Sequence, residues 1–96
     1  MADKEAVILS AARTPTGKFQ GLLKGFSAPD LGAHAIKAAL ERAGVAPEKV
    51  AEVILGCVGQ PPDSANIARV IALRSGLPAA TPAVTVNRNC ASGFES

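Results

Sequence analysis

A chain of 96 residues buries at most about two thirds of the surface its unfolded form exposes, so it holds one small core or part of a larger one. Nearly half of the residues are apolar and only three are aromatic, which makes that core aliphatic and suits close helix-on-sheet packing. Ten basic side chains interspersed with eight acidic ones leave a net charge of +2, a balance that argues against a nucleic-acid surface. The charged start, Met1-Ala2-Asp3-Lys4-Glu5, leads into only a short apolar run. Neither a signal peptide nor a membrane span is legible there, and the chain reads as a cytoplasmic protein.

Residues 6–12, AVILSAA, form a short apolar run flanked by charge and by Arg13-Thr14-Pro15, as in a buried parallel strand. Residues 13–26 carry Pro15 and glycines at 17, 21 and 25 and read as a long excursion. Ser27-Ala28-Pro29-Asp30 then combines an N-cap serine, a proline in the first turn and an acid that can reach back to the serine N–H. Leu31, Ala35, Ala39 and Ala43 recur at helical spacing, Ile36 and Leu40 widen the stripe, and Gly44 supplies the stop.

After a polar connection, residues 52–58 predict a second buried strand, ended by Gly59-Gln60-Pro61-Pro62-Asp63. Asp63 or Ser64 can cap a second helix with Ile67, Val70, Ile71 and Leu73 as its apolar face, stopped by Gly76 and Pro78. Residues 83–86 make a third strand, and a helix begins after Cys90. The βαβαβα order predicts an α/β fold with a mainly parallel sheet and right-handed crossovers.

Two cysteines, Cys57 and Cys90, stand far apart in sequence, without the spacing of a zinc site or a disulfide framework. Cys57 lies inside a buried strand and reads as packing. Cys90 lies just past the carboxyl end of a parallel strand, where open α/β sheets place reactive groups. A following helix start would favour negative charge on its sulfur. Ala91, Ser92 and Gly93 leave room for a thioester carbonyl to approach. On these local residues alone, a small buried thiol packing like alanine is the competing reading.

The run Val86-Asn87-Arg88-Asn89-Cys90-Ala91-Ser92-Gly93-Phe94-Glu95-Ser96 resembles the active-site signature of the thiolase family. Ala12-Arg13-Thr14-Pro15 with Gly17, Phe19 and Gly21 is similar to the family's amino-terminal segment. Asn66-Ile67-Ala68-Arg69 with Ala72, Gly76, Leu77 and Pro78 is similar to its second helix. The resemblance implies that residues 1–96 are an incomplete amino-terminal thiolase-like domain, breaking off at the start of the helix after Cys90.

It further implies an acyltransferase that forms or cleaves acetoacetyl-CoA or another 3-ketoacyl-CoA. Cys90 would be the acyl-thioester nucleophile, with its backbone N–H in the oxyanion hole. Coenzyme A thioesters would be substrates, with no bound cofactor and no metal. The activating histidine, the second cysteine and the loop domain that binds coenzyme A would lie beyond Ser96, so no coenzyme A-binding residue is assigned. By the same resemblance the chain pairs with a second copy through the strand from Ala83 to Asn87, in a homodimer or homotetramer, with no membrane or nucleic-acid partner. An unpaired edge strand fits such use.

The remaining candidates carry less. His34, the only histidine, sits mid-helix beside the apolar stripe, without a partner motif. Gly17-Lys18 fails as a phosphate loop, since Ala12 and Phe19 stand where glycine and a hydroxyl residue are needed. Arg13, Lys18 and Lys24 make a mildly positive loop that reads as solvated charge. Arg88 can tie loops together through backbone carbonyls or a carboxylate. Two rival functions stay open: a related ketoacyl synthase, against which the Arg-Thr-Pro segment argues, and a non-catalytic fragment or interaction module.

Overall fold

The computed structural model describes residues 4–96, and residues 1–3 of the charged start lie outside them. The elements follow in the order α1 (Ala28–Ala43), a 3-10 turn (Pro47–Lys49), β1 (Val53–Gly56), α2 (Ile67–Arg74), β2 (Ala83–Val86) and α3 (Ser92–Glu95). β1 and β2 run parallel, Val53 opposite Ala83 and Gly56 opposite Val86. The Val53 N–H donates to Pro82 O, and the Cys57 N–H extends the ladder to Val86 O. Backbone groups of Ala83 and Thr85 therefore face away from β1, along the free edge of the pair.

The start of α1 follows from its residues. Ser27 Oγ accepts from the Asp30 N–H at 3.2 Å, and Asp30 Oδ2 accepts from the Ser27 N–H at 3.3 Å, a reciprocal capping box. Gly44 ends the helix at φ 66°, a left-handed conformation that glycine adopts without steric cost. α2 packs on one face of the sheet and α1 lies against α2. Arg74 Nη1 meets Asp30 Oδ1 at 3.2 Å across the two helices. Gly32 lets them approach, since a Cβ there would fall 2.5 Å from Ile71 Cδ1.

The core has two adjoining parts. Val53, Ala68, Ala72 and Leu77 form one, with Ile36, Leu40, Val50, Leu55 and Ala83 against it; Ala33, Ile67 and Ile71 form the other, with Ile36, Leu55 and Cys57 beside it. Strand alternation puts Val53 and Leu55 toward these clusters and Ile54 and Gly56 on the opposite face, where Ile54 and Val84 are exposed.

Three expectations need correction. Residues 6–12 form no strand; the segment is instead tied to α1, Ser10 Oγ donating to Ala39 O at 2.6 Å and Arg42 Nη1 to Ala11 O at 2.8 Å. Ile8 is 90% exposed, because a strand exists only where a neighbour completes its ladder. α2 is capped by Asn66 rather than by Asp63 or Ser64. Its buried face is Ile67, Ala68, Ile71 and Ala72, whereas Leu73 is 49% exposed. Two small alanines, Ala68 and Ala72, thus meet the sheet beside Val53. The α/β class and the parallel pairing hold. Among the described residues no helix is long and apolar enough to cross a membrane.

Candidate functional site

Beyond Val86 the chain leaves the sheet in a tight turn. Asn89 adopts φ 48°, a left-handed conformation that asparagine tolerates better than most side chains. Its N–H donates to Asn87 Oδ1 at 3.0 Å. The Arg88 N–H donates to Ser92 Oγ at 2.8 Å, and the Ser92 hydroxyl donates to Asn89 O at 2.7 Å. The Ala91 N–H donates to Arg88 O at 3.0 Å and the Ser92 N–H to Asn89 O at 3.1 Å. Cys90 stands inside this web as an exposed free thiol. Among the described residues its own N–H makes no intrachain hydrogen bond, while the four N–H groups around it are taken.

Two features set where the turn lies. Arg88 Nη1 pairs with Glu95 Oε1 at 2.9 Å across it, so of the two roles left open for Arg88 the carboxylate is the one found. Both side chains are largely exposed, and such pairs contribute little. On the other side, a Cβ on Gly56 would fall onto the carbonyl of Ser92. Only a glycine at the end of β1 lets the start of α3 close down there. Because Gly56 shares its face with Ile54, α3 begins on the side of the sheet opposite α2.

A second network fixes β2. Asn66 Oδ1 accepts from Thr85 Oγ1 at 2.6 Å and from the Arg69 N–H at 3.3 Å, while Asn66 Nδ2 donates to Ala83 O at 3.2 Å. Thr85 Oγ1 in turn accepts from the Ala68 N–H at 3.0 Å. The start of α2 is thereby pinned to the strand that delivers Cys90.

His34 is exposed on α1 and lines a cleft of about 400 Å³ with Thr14, Pro15, Leu23, Phe26, Asp30 and Leu31, none of them from the Cys90 turn. Cys57 is half-buried beside the second core cluster, as packing predicts. Arg13 is turned back onto its own loop, donating to Thr14 O and Thr16 Oγ1. In the sequence Ser92 counted only as low bulk beside Cys90, and Gly56 only as part of the strand over residues 52–58. Their hold on the turn comes from contacts across the fold. Among the described residues no group of three or more His, Cys, Asp or Glu side chains could hold a metal ion.

The family profile described as "Thiolase, N-terminal domain" matches residues 6–96. The chain belongs to the thiolase family. An acetyl-CoA acetyltransferase of Cupriavidus necator is 54% identical over 92 residues, spanning 96% of this chain and 23% of the relative. The crystal structure of the Bacillus anthracis acetyl-CoA acetyltransferase superposes with a TM-score of 0.90 at 41% identity, over 94% of this chain and 23% of that one. Human mitochondrial 3-ketoacyl-CoA thiolase in complex with CoA gives a TM-score of 0.85 at 48% identity, over 91% and 22%. The fold is the thiolase fold, and the chain spans less than a quarter of the relatives it matches.

Proposed function

We infer that the protein containing this chain is an acyltransferase of the thiolase type, acetyl-CoA acetyltransferase or 3-ketoacyl-CoA thiolase, working through an acyl group on Cys90. The observation that carries this reading is an exposed thiol whose own N–H makes no hydrogen bond among the described residues, while every neighbouring N–H in the turn is engaged. A free N–H beside the nucleophile is the donor that a tetrahedral oxyanion needs. Coenzyme A thioesters are the substrates in this reading, supported by the CoA complex of the human relative.

In the first step Cys90 Sγ forms a bond to the thioester carbonyl carbon and the carbon–sulfur bond to coenzyme A breaks. The thiol proton ends on the departing coenzyme A sulfur. That transfer needs a base near Cys90, and His34 faces another cleft, so the base is assigned to the protein outside these residues. In the second step a base, likewise assigned outside these residues, takes an α-proton from another acetyl-CoA, the carbanion attacks the acyl carbonyl, and Cys90 leaves as thiolate and recovers a proton; degradation runs the same steps in reverse. The outer edge of β2, where Asn66 takes the Ala83 carbonyl, supports pairing with a second copy through residues 83–87. We place the protein in the cytoplasm, which cell fractionation checks.

The test is to incubate the full gene product with acetyl-CoA and map acetylation by peptide mass spectrometry. One acetyl group on Cys90, lost in Cys90→Ala, is expected. An unmodified Cys90 in folded full-length protein would overturn the reading and favour a binding or structural role.

A further inference from the structure

We propose that Ser92 is a positioning residue for acyl transfer, its hydroxyl acting as a clamp that turns the chain off the sheet and orients the Cys90 thiol and N–H together. This rests on the acyl-transfer reading above and adds a residue to it.

Continuing the parallel register past Cys57 would send the Arg88 N–H to the Cys57 carbonyl, as the next rung of the ladder. Instead that N–H goes to Ser92 Oγ at 2.8 Å. The same hydroxyl spends its proton on Asn89 O at 2.7 Å, gripping both sides of the turn's left-handed residue, Asn89 at φ 48°. Ser92 is 4% exposed, so water cannot readily replace either bond. Its backbone is fixed in turn by Gly56, above which no Cβ fits. Cys90 lies between the gripped Asn89 carbonyl and Ser92 itself. Without the hydroxyl, the Arg88 N–H loses its acceptor and the left-handed turn loses one of the bonds that hold it. The Cys90 N–H then no longer points reliably where the carbonyl oxygen of a bound thioester develops charge.

Attack on a thioester needs that oxygen stabilised, whereas displacement of iodide from iodoacetamide by the same sulfur needs no oxyanion donor. The experiment compares the two reactions in the full gene product, as single-turnover acetylation at saturating acetyl-CoA and as alkylation of Cys90. For Ser92→Ala, acetylation should slow by roughly ten- to hundred-fold while alkylation stays within about two-fold. Ser92→Thr, which keeps the hydroxyl, should recover most of the acetylation rate.

If Ser92→Ala does not fold, Asn89→Val is the second variant. It sits at an exposed position and attacks the same geometry, because a β-branched side chain resists a positive φ; it should show the same split between the two reactions. Native acetylation rates in the folded variant would overturn the clamp, as would parallel loss of both reactions. Absence of acetylation in the native protein would overturn the acyl-transfer reading and the clamp with it.

Discussion

The two cysteines stand at comparable places, each past the carboxyl end of one of two paired parallel strands, yet they meet opposite surroundings. At Cys57 the ladder continues through its N–H to Val86 O, and the side chain settles beside Ala33, Ile67 and Ile71. At Cys90 the ladder has already been diverted by Ser92, and the thiol stands exposed on a left-handed turn. A position after a parallel strand therefore does not by itself make a cysteine available. The backbone path of the next few residues decides, and that path is set by Ser92, Asn89 and Gly56.

The sharpest way to break this contrast is to remove each thiol in the full gene product. Cys90→Ser should lower acyl transfer by about three orders of magnitude or more, as loss of a covalent nucleophile does elsewhere, with an unchanged melting temperature. Cys57→Ala should leave the rate within a few-fold and cost about 1 kcal/mol of stability through a small packing defect. Steady-state thioester assays alongside thermal melts separate the two. Equal losses of rate would end the distinction between the cysteines.

The glycines offer the next test. Gly56→Ala would drive a methyl group into the Ser92 carbonyl, and rigid overpacking of this kind costs about 1–3 kcal/mol. Because the strain falls on the turn that carries Cys90, the acetylation rate should drop as well. Gly32→Ala is the comparison. Its Cβ meets Ile71, a buried side chain with little room to move, so overpacking of about 1–3 kcal/mol outweighs the gain in helix propensity of about 1 kcal/mol. Urea melts should find both variants destabilised, with the acetylation rate of the folded protein lowered only in the first.

Much of this was legible in the chain itself, for identifiable reasons. Ser27, Pro29, Asp30 and Gly44 act through neighbours in sequence, so the bounds of α1 followed from local chemistry. The placement of Cys90 after a strand and before a helix was equally local. The partner of a strand is not. AVILSAA has the composition of a buried strand, but without a neighbour to complete its ladder it lies along α1 with Val7, Ile8 and Leu9 exposed. The cap of α2 was missed because Asn66 is selected by Thr85 and Ala83, residues distant in sequence, whereas Asp63 and Ser64 only looked suitable. Ser92 and Gly56 act on each other across the fold, and no spacing rule along the chain connects them.

Asn66 gives a third, smaller test. Asn66→Ala removes the N-cap of α2, which costs about 1 kcal/mol, and strips Thr85 Oγ1 and Ala83 O of their partners. A total loss of about 1–2 kcal/mol is expected, since both groups can reach water at this edge. The effect should fall on stability and strand pairing rather than on the chemistry of Cys90. A large drop in acetylation at full folding would mean that β2 is less independent of the Cys90 turn than the hydrogen bonds indicate.

The smallest effect concerns Asp30, which supports the Cys57 side of the contrast and not the Cys90 side. Ser27, through its side chain and then its N–H, holds the Asp30 carboxyl below its ordinary value, and Arg74 adds to this. A carboxylate with a lowered value in the folded state contributes stability at pH values above its unfolded value, about 3.9. That contribution is lost as the pH falls through the folded value. The melting temperatures of the native protein and of Asp30→Asn should therefore differ slightly near neutrality and converge in acid below about pH 4. The group is solvent-exposed, so the difference is small. At neutral pH the loosened α1–α2 contact should speed labelling of Cys57, which packs beside Ala33 of α1, and leave labelling of Cys90 unchanged. If Cys90 responded instead, the two strand ends would be coupled through the helices, and the separation drawn here between a packed and an available thiol would fail.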